Sequence, residues 1–230
     1  MRGMYGMQGT QRGFVKLLIY NGSGQFHYWA GKYPGKLGWL VSPHVYRTMR
    51  CRKAPFWPWI EYAIDNEAFP AWQNGRPWDE GAFFELLQET KKETNAPMWV
   101  VVPDVVANPE ETKRNWQIYA DRVAAFGWPL AFAVQNGMGP KDVPSDADVI
   151  FVGGSDEDNW KWRSAPMWCE HFPRVHIGRV NSARLIRYSE KIGAESVDGT
   201  SWFRDPSRPR LVQLEAWLAG EPENQIEMML

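Results

Sequence analysis

The stretch that decides the fold runs from Gly193 to Arg204: Gly193-Ala-Glu-Ser-Val-Asp198-Gly-Thr-Ser-Trp-Phe-Arg204. It reads as a helix stop at Gly193, a short buried strand at 196–197, a carboxylate where the strand runs out at Asp198, and a small-residue turn leading to Arg204. In a parallel α/β protein the carboxyl ends of the strands are where chemistry sits. Four earlier apolar runs end the same way, in Asp65, Asp104, Gln135 and the pair Gly153-Gly154. One such end is ordinary; five in one chain predict a pocket.

Working outward, short and continuously apolar runs predict strands at 16–20, 38–42, 60–64, 98–102, 130–134, 149–152, 175–177 and 196–197, as expected for strands covered on both faces. Helical patterns fall at 79–94, 110–126, 159–170, 182–192 and 209–219. Asn108-Pro109 places an N-cap before a proline in the first turn, Asn181-Ser182 precedes an amphipathic run, and Gly127 and Gly193 stand where helix stops belong. Eight strands alternating with helices predict an α/β protein of the (β/α)8 TIM-barrel type. A doubly wound sheet is the alternative, but it carries a glycine fingerprint after its first strand. Asn21-Gly-Ser-Gly24 is too short for one, and no convincing helix is legible after it. The first third reads as irregular, with Gly22, Gly24, Gly31, Pro34 and Gly35 in one long loop.

The 230 residues fit one barrel domain over 14–230 behind a poorly ordered Gly/Met/Gln-rich segment at 1–13. An apolar fraction of 44% with 23% charged residues is that of a globular protein with a full core. A net charge of −1 excludes nucleic-acid binding by bulk electrostatics and leaves room for a local basic patch. Two cysteines, Cys51 and Cys169, make neither a disulfide framework nor a zinc set, and Cys169-Glu-His171 reads as a buried thiol near a surface histidine. No metal and no cofactor are expected. The absence of a signal-peptide pattern or an apolar span predicts a cytoplasmic protein without membrane contact. Most of the 14 tryptophans must be packing residues, although Trp72 and Trp202, beside site positions, are candidates to stack on a base or sugar.

Asp65 and Asp198 are the candidate catalytic pair. Two carboxylates across a pocket can cleave a glycosidic bond, one attacking the anomeric carbon while the other carries the leaving group's proton. If a nucleobase leaves, the pocket also needs groups for its edge and an apolar plate for its face. Asp104, Gln135 and the amides of Gly153 and Gly154 suit the edge, and Phe69 suits the plate. His176, Gly178 and Arg179, in and after the seventh strand, complete the candidate lining. Each residue alone has a plainer reading: Asp65-Asn66 as a turn, Asp104 as a cap, Gly153-Gly154 as a tight loop.

In this combination the chain resembles the guanine transglycosylases, in particular the divergent phage and bacterial branch that acts on DNA. The likeness runs from about residue 38 to 204. Asp65-Asn-Glu-Ala-Phe69 is similar to the family's Asp-Ser-Gly-Gly-aromatic segment, Asp104 to its base-reading aspartate, and Val134-Gln-Asn-Gly137 to its Val-Gln-Gly. Gly153-Gly154 is similar to its base-facing Gly-Gly loop. Gly193, Glu195, Asp198 and Arg204 keep the intervals of its nucleophile segment. The resemblance implies Asp198 as nucleophile, Asp65 as general acid/base, Phe69 stacked on the base, and Arg204 beside the nucleic-acid backbone. It implies DNA and a 7-deazaguanine base as the two substrates, and a host-cytoplasm setting if the gene is phage-borne. The family's three zinc cysteines and distal histidine have no counterparts. Further phosphate contacts are expected from Arg47, Arg50, Arg52 and Lys53 and from Arg179, Arg184, Arg187, Arg208 and Arg210.

Three functions remain open on the residues: base exchange, hydrolysis by a nucleoside or base-excising glycosidase, and non-catalytic nucleic-acid binding. An accessory protein that opens the duplex and the oligomeric state are not legible.

Overall fold

The computed structural model describes residues 14–20, 24–48, 57–155, 157–202 and 208–222. Eight parallel strands close into one ring in chain order: β1 (Lys16–Ile19), β2 (Leu37–Val41), β3 (Tyr62–Ile64), β4 (Val100–Val101), β5 (Leu130–Val134), β6 (Val149–Val152), β7 (Val175–Ile177) and β8 (Ser196–Asp198). Helices α1 (Gly24–Lys32), α2 (Pro43–Thr48), α3 (Ala68–Gln73), α4 (Glu80–Thr90), α5 (Pro109–Ala124), α6 (Trp160–His171), α7 (Ala183–Ile192) and α8 (Arg208–Leu218) run between or after them. The expected (β/α)8 barrel is therefore the fold, closed by β1 against β8 with Leu18 level with Asp198.

Two apolar cores hold it. Leu18, Leu40, Trp99, Val101, Ala131, Ala133 and Val149 fill the ring's interior, where alanines make room for the Trp99 indole. The larger core lies between ring and helices, because adjacent strand residues point to opposite faces and both faces are covered. The local signals act as expected. Asn108 accepts from Glu111 N–H at 3.1 Å with Pro109 in the first turn of α5, and Ser182 accepts from Leu185 N–H at 3.3 Å. Gly193 ends α7 at φ 87°, a left-handed conformation that favours glycine.

The first third differs from its sequence reading. The long glycine-rich loop is largely helix α1, which buries Phe26, Trp29 and Ala30 in the outer core. A second helix, α2, follows β2, and Phe69 belongs to α3 rather than to a loop. β4 is shorter than the run at 98–102, which prolines at 97 and 103 bound on either side. Extended pairing still continues on both sides, from Met98 N–H to Tyr62 O and from Val102 N–H to Ala131 O. Asp198 is the last residue of β8, not the first beyond it. Among the described residues no helix is long and apolar enough to cross a membrane.

Candidate active site

One narrow cavity opens at the carboxyl ends of the strands. Its walls carry Tyr20 after β1, Asp65 after β3, Phe69 of α3, Asp104 after β4, Arg179 after β7 and Asp198 of β8, with Gly153, Gly154 and Gly178 as backbone wall. The strand ends singled out in the sequence converge because parallel strands deliver all their carboxyl termini to one rim.

Asp198 is 1% exposed and held from below and from the side. His176 Nε2 lies 3.1 Å from its Oδ2, and the backbone N–H of Arg179 donates to the same oxygen at 3.1 Å. With the ring proton on Nε2, His176 accepts the Ser196 hydroxyl on Nδ1 at 2.8 Å. Trp99 and Phe151 flank the imidazole at 4.8 and 4.7 Å between centroids. Asp198 Oδ1 is buried and has no hydrogen-bond partner. A Cβ on Gly178 would stand 3.3 Å from Asp198 Oδ2 and 3.2 Å from Phe151, so the close wall favours glycine.

Asp65 occupies the other side. The Tyr20 hydroxyl donates to its Oδ2 in a short hydrogen bond, and Glu67 N–H donates to Oδ1 at 2.6 Å. Burial pushes its carboxyl up to about 7. The Tyr20 and Glu67 bonds pull in the opposite sense, while the charges of Asp198 and Asp104 add to the rise. Burial and the adjacent Asp65 likewise push the Tyr20 hydroxyl well above its ordinary value.

Asp104 is fixed by two side-chain amides, Asn66 Nδ2 to Oδ1 and Gln135 Nε2 to Oδ2, each at 2.8 Å. Burial raises its pKa against these bonds. The network extends outward, since Asn66 Oδ1 accepts from Ala68 N–H and Gln135 Oε1 accepts from Ala107 N–H. The Arg179 guanidinium lies 4.3 Å from the Phe69 ring centroid and donates to Gly154 O at 2.7 Å. A planar ligand entering against Phe69 must share that ring with Arg179 or displace it.

Several expectations are corrected. Gln135 and His176 are 0% exposed and sit one layer behind the cavity, where they orient Asp104 and Asp198 rather than meet a ligand. Trp202 is buried and its Nε1–H is spent on Val180 O at 2.9 Å, which removes it as a stacking plate; Trp72 is half exposed against Phe69. Asp104 caps no helix, because Asn108 does so for α5. Glu195 is bound by Arg174 at 2.7 and 2.8 Å, before β8 and therefore at the opposite end of the ring. Arg47 pairs with Glu85. Arg204, Arg50, Arg52, Lys53 and Cys51 lie outside the described residues. Cys169 is buried in α6, while His171 at its end is exposed.

Sequence reasoning missed Tyr20, Asn66 and Phe151. Tyr20 carried a usable signal, as the polar-tipped residue that closes the first apolar run, 16–20. Lys161 was also missed: although 2% exposed, it reaches Gly178 O at 2.8 Å and braces the loop beside Asp198.

The chain matches no protein-family model and no curated protein. Its likeness is to barrels. The YdjI aldolase from Escherichia coli K12 superposes with a TM-score of 0.54 at 10% identity, covering 94% of this chain and 84% of that one. Phosphoribosyl anthranilate isomerase from Thermus thermophilus gives 0.53 at 14%, covering 90% and 99%. A mutant tryptophan synthase alpha-subunit from Pyrococcus furiosus gives 0.52 at 13%, covering 90% and 97%. At such identities the likeness is one of fold alone.

Proposed function

We propose that the protein is a DNA-guanine transglycosylase that exchanges guanine for a 7-deazaguanine base through a covalent aspartyl–sugar intermediate. The observation that carries this reading is the pairing, in one cavity, of a buried carboxylate oxygen without a partner, Asp198 Oδ1, with a carboxyl that burial holds near 7, Asp65. Such a pair divides nucleophile from proton carrier at neutral pH.

Asp198 Oδ1 attacks C1′ of a flipped deoxyguanosine, and the C1′–N9 bond breaks with its electron pair leaving on guanine. Protonated Asp65 supplies the proton that neutralises the departing base. The incoming 7-deazaguanine then gives its N9 proton to the Asp65 carboxylate and attacks C1′ on the opposite face, which releases Asp198. Two inversions retain the β configuration. Asp104, preset by Asn66 and Gln135, accepts from N–H groups on the purine edge, and Phe69 backs its face. The family resemblance supports the choice of base and of DNA.

The test is incubation of the protein with guanine-containing DNA, single-stranded and duplex, and labelled guanine. Incorporated label is the expected result. Guanine released without incorporation would replace exchange by hydrolysis, and DNA unchanged in both respects would overturn the catalytic reading.

A further inference from the structure

Outside the barrel mouth, α6 and α7 enclose a cleft of about 800 Å³. Its walls are Trp162 and Arg163 from α6 and Arg184, Arg187, Tyr188 and Lys191 from α7. The helical period explains the grouping. Residues 184, 187, 188 and 191 form one stripe of α7, while Ala183, Ile186 and Ser189 are buried on its inner side. Asn159, at the start of α6 and hence at the rim that bears the cavity, marks the cleft's upper end.

Four cations in one cleft repel one another, and none of them forms an ion pair among the described residues. Elsewhere cations are matched: Lys32 with Glu215, Arg114 with Glu111, Arg122 with Glu80. Arg187 is the most telling, because its Nε and Nη2 are buried without any hydrogen-bond partner. These donors lack the acceptors that a buried guanidinium calls for, and an anion seated in the cleft is one group that supplies them. Between the cations stand two rings, Trp162 and the partly exposed Tyr188, packed edge to face at 6.0 Å.

We propose that this cleft binds a single nucleic-acid strand, its phosphates on Arg163, Arg184, Arg187 and Lys191 and its bases against Trp162 and Tyr188. Alternation of cations with aromatic rings suits phosphates and bases in turn, which an acidic peptide would not use. The inference concerns where a strand lies and is independent of which bond, if any, the barrel cleaves.

The test uses the full chain and a fluorescent oligothymidylate, which has no guanine, so binding is read apart from any base exchange. Wild-type affinity should fall with salt with a log–log slope of at most about −3, since single strands give roughly −0.7 per phosphate and four cations are present. Arg184→Ala with Lys191→Ala, both exposed side chains, should weaken binding and roughly halve that slope. Trp162→Ala with Tyr188→Ala should cost about tenfold or more in affinity with the slope nearly unchanged, as lost stacking does. Circular dichroism checks that each variant is folded. Folded variants that bind as the wild type does would overturn the proposal. Polyglutamate competing as well as oligothymidylate, with no effect of the aromatic changes, would equally overturn it in favour of an acidic protein partner.

Discussion

The His176 imidazole stands directly under Asp198, 3.1 Å from Oδ2, and so commits one carboxylate oxygen to the protein while Oδ1 stays uncommitted. The division of labour between two atoms of one side chain follows from side-chain direction. His176 on β7 and Asp198 on β8 both point into the ring, one layer apart.

Replacing His176 should therefore harm turnover more than binding. His176→Ala leaves Asp198 with the Arg179 N–H alone, and the loss of a hydrogen bond to a charged group corresponds to a fall in kcat of about tenfold to a hundredfold with KM little changed. His176→Gln, which keeps an N–H donor, should recover much of the loss. Equal losses in both variants would mean that His176 serves packing only.

Asp65 should leave a signature in stability. Its carboxyl is raised from 3.8 to about 7, so the folded protein binds a proton that the unfolded chain has released between those values. The contribution of Asp65 to stability should then be greatest below about pH 4, decline as pH rises to about 7 and level off above, by at most about 4 kcal/mol. Asp104 acts with the same sign, so Asp65→Asn should reduce the decline rather than abolish it. Urea titrations of both proteins at pH 5 and pH 8 measure this; an identical pH dependence would remove the shift from Asp65.

Tyr20→Phe should move the pH profile of the reaction. The Tyr20 hydrogen bond favours the ionised form of Asp65, so its loss raises that carboxyl further. A general acid works while protonated, and the alkaline limb of kcat against pH should move to higher pH. A limb that stays in place or moves down would assign it to another group.

Asp104→Asn should cost folding stability as well as affinity for a purine. Both carboxylate oxygens accept from amide N–H groups, and an amide in their place turns an NH2 toward Asn66 or Gln135. A buried donor facing a donor costs about 1–3 kcal/mol, which thermal unfolding will read. An unchanged Tm would mean that Asn66 or Gln135 has turned to a new partner.

The second half of the barrel was legible because its signals agree. β5, β6 and β7 occupy the apolar runs that were read for them, and Asn108, Ser182 and Gly193 fix the helix limits around them. In α1 they conflict: Gly24 and Gly31 lower helix propensity, and the helix is held by Phe26, Trp29 and Ala30 packing in the outer core, a tertiary effect. The rim carboxylates were legible as ends of apolar runs. What could not be read was depth. Gln135 and His176 carry the same polar mark as Asp65, and only the ring's layering sets them behind the cavity.

The register that puts Leu18 beside Asp198 joins the first strand made to the last. A growing chain contains Tyr20, Asp65 and Asp104 well before β8 is made, whereas the seat of the Asp198 carboxylate exists only once β8 pairs with β1. On the proposed mechanism, a nascent or partly folded chain would thus lack its nucleophile, and reactivity would arise in the same step that completes the protein.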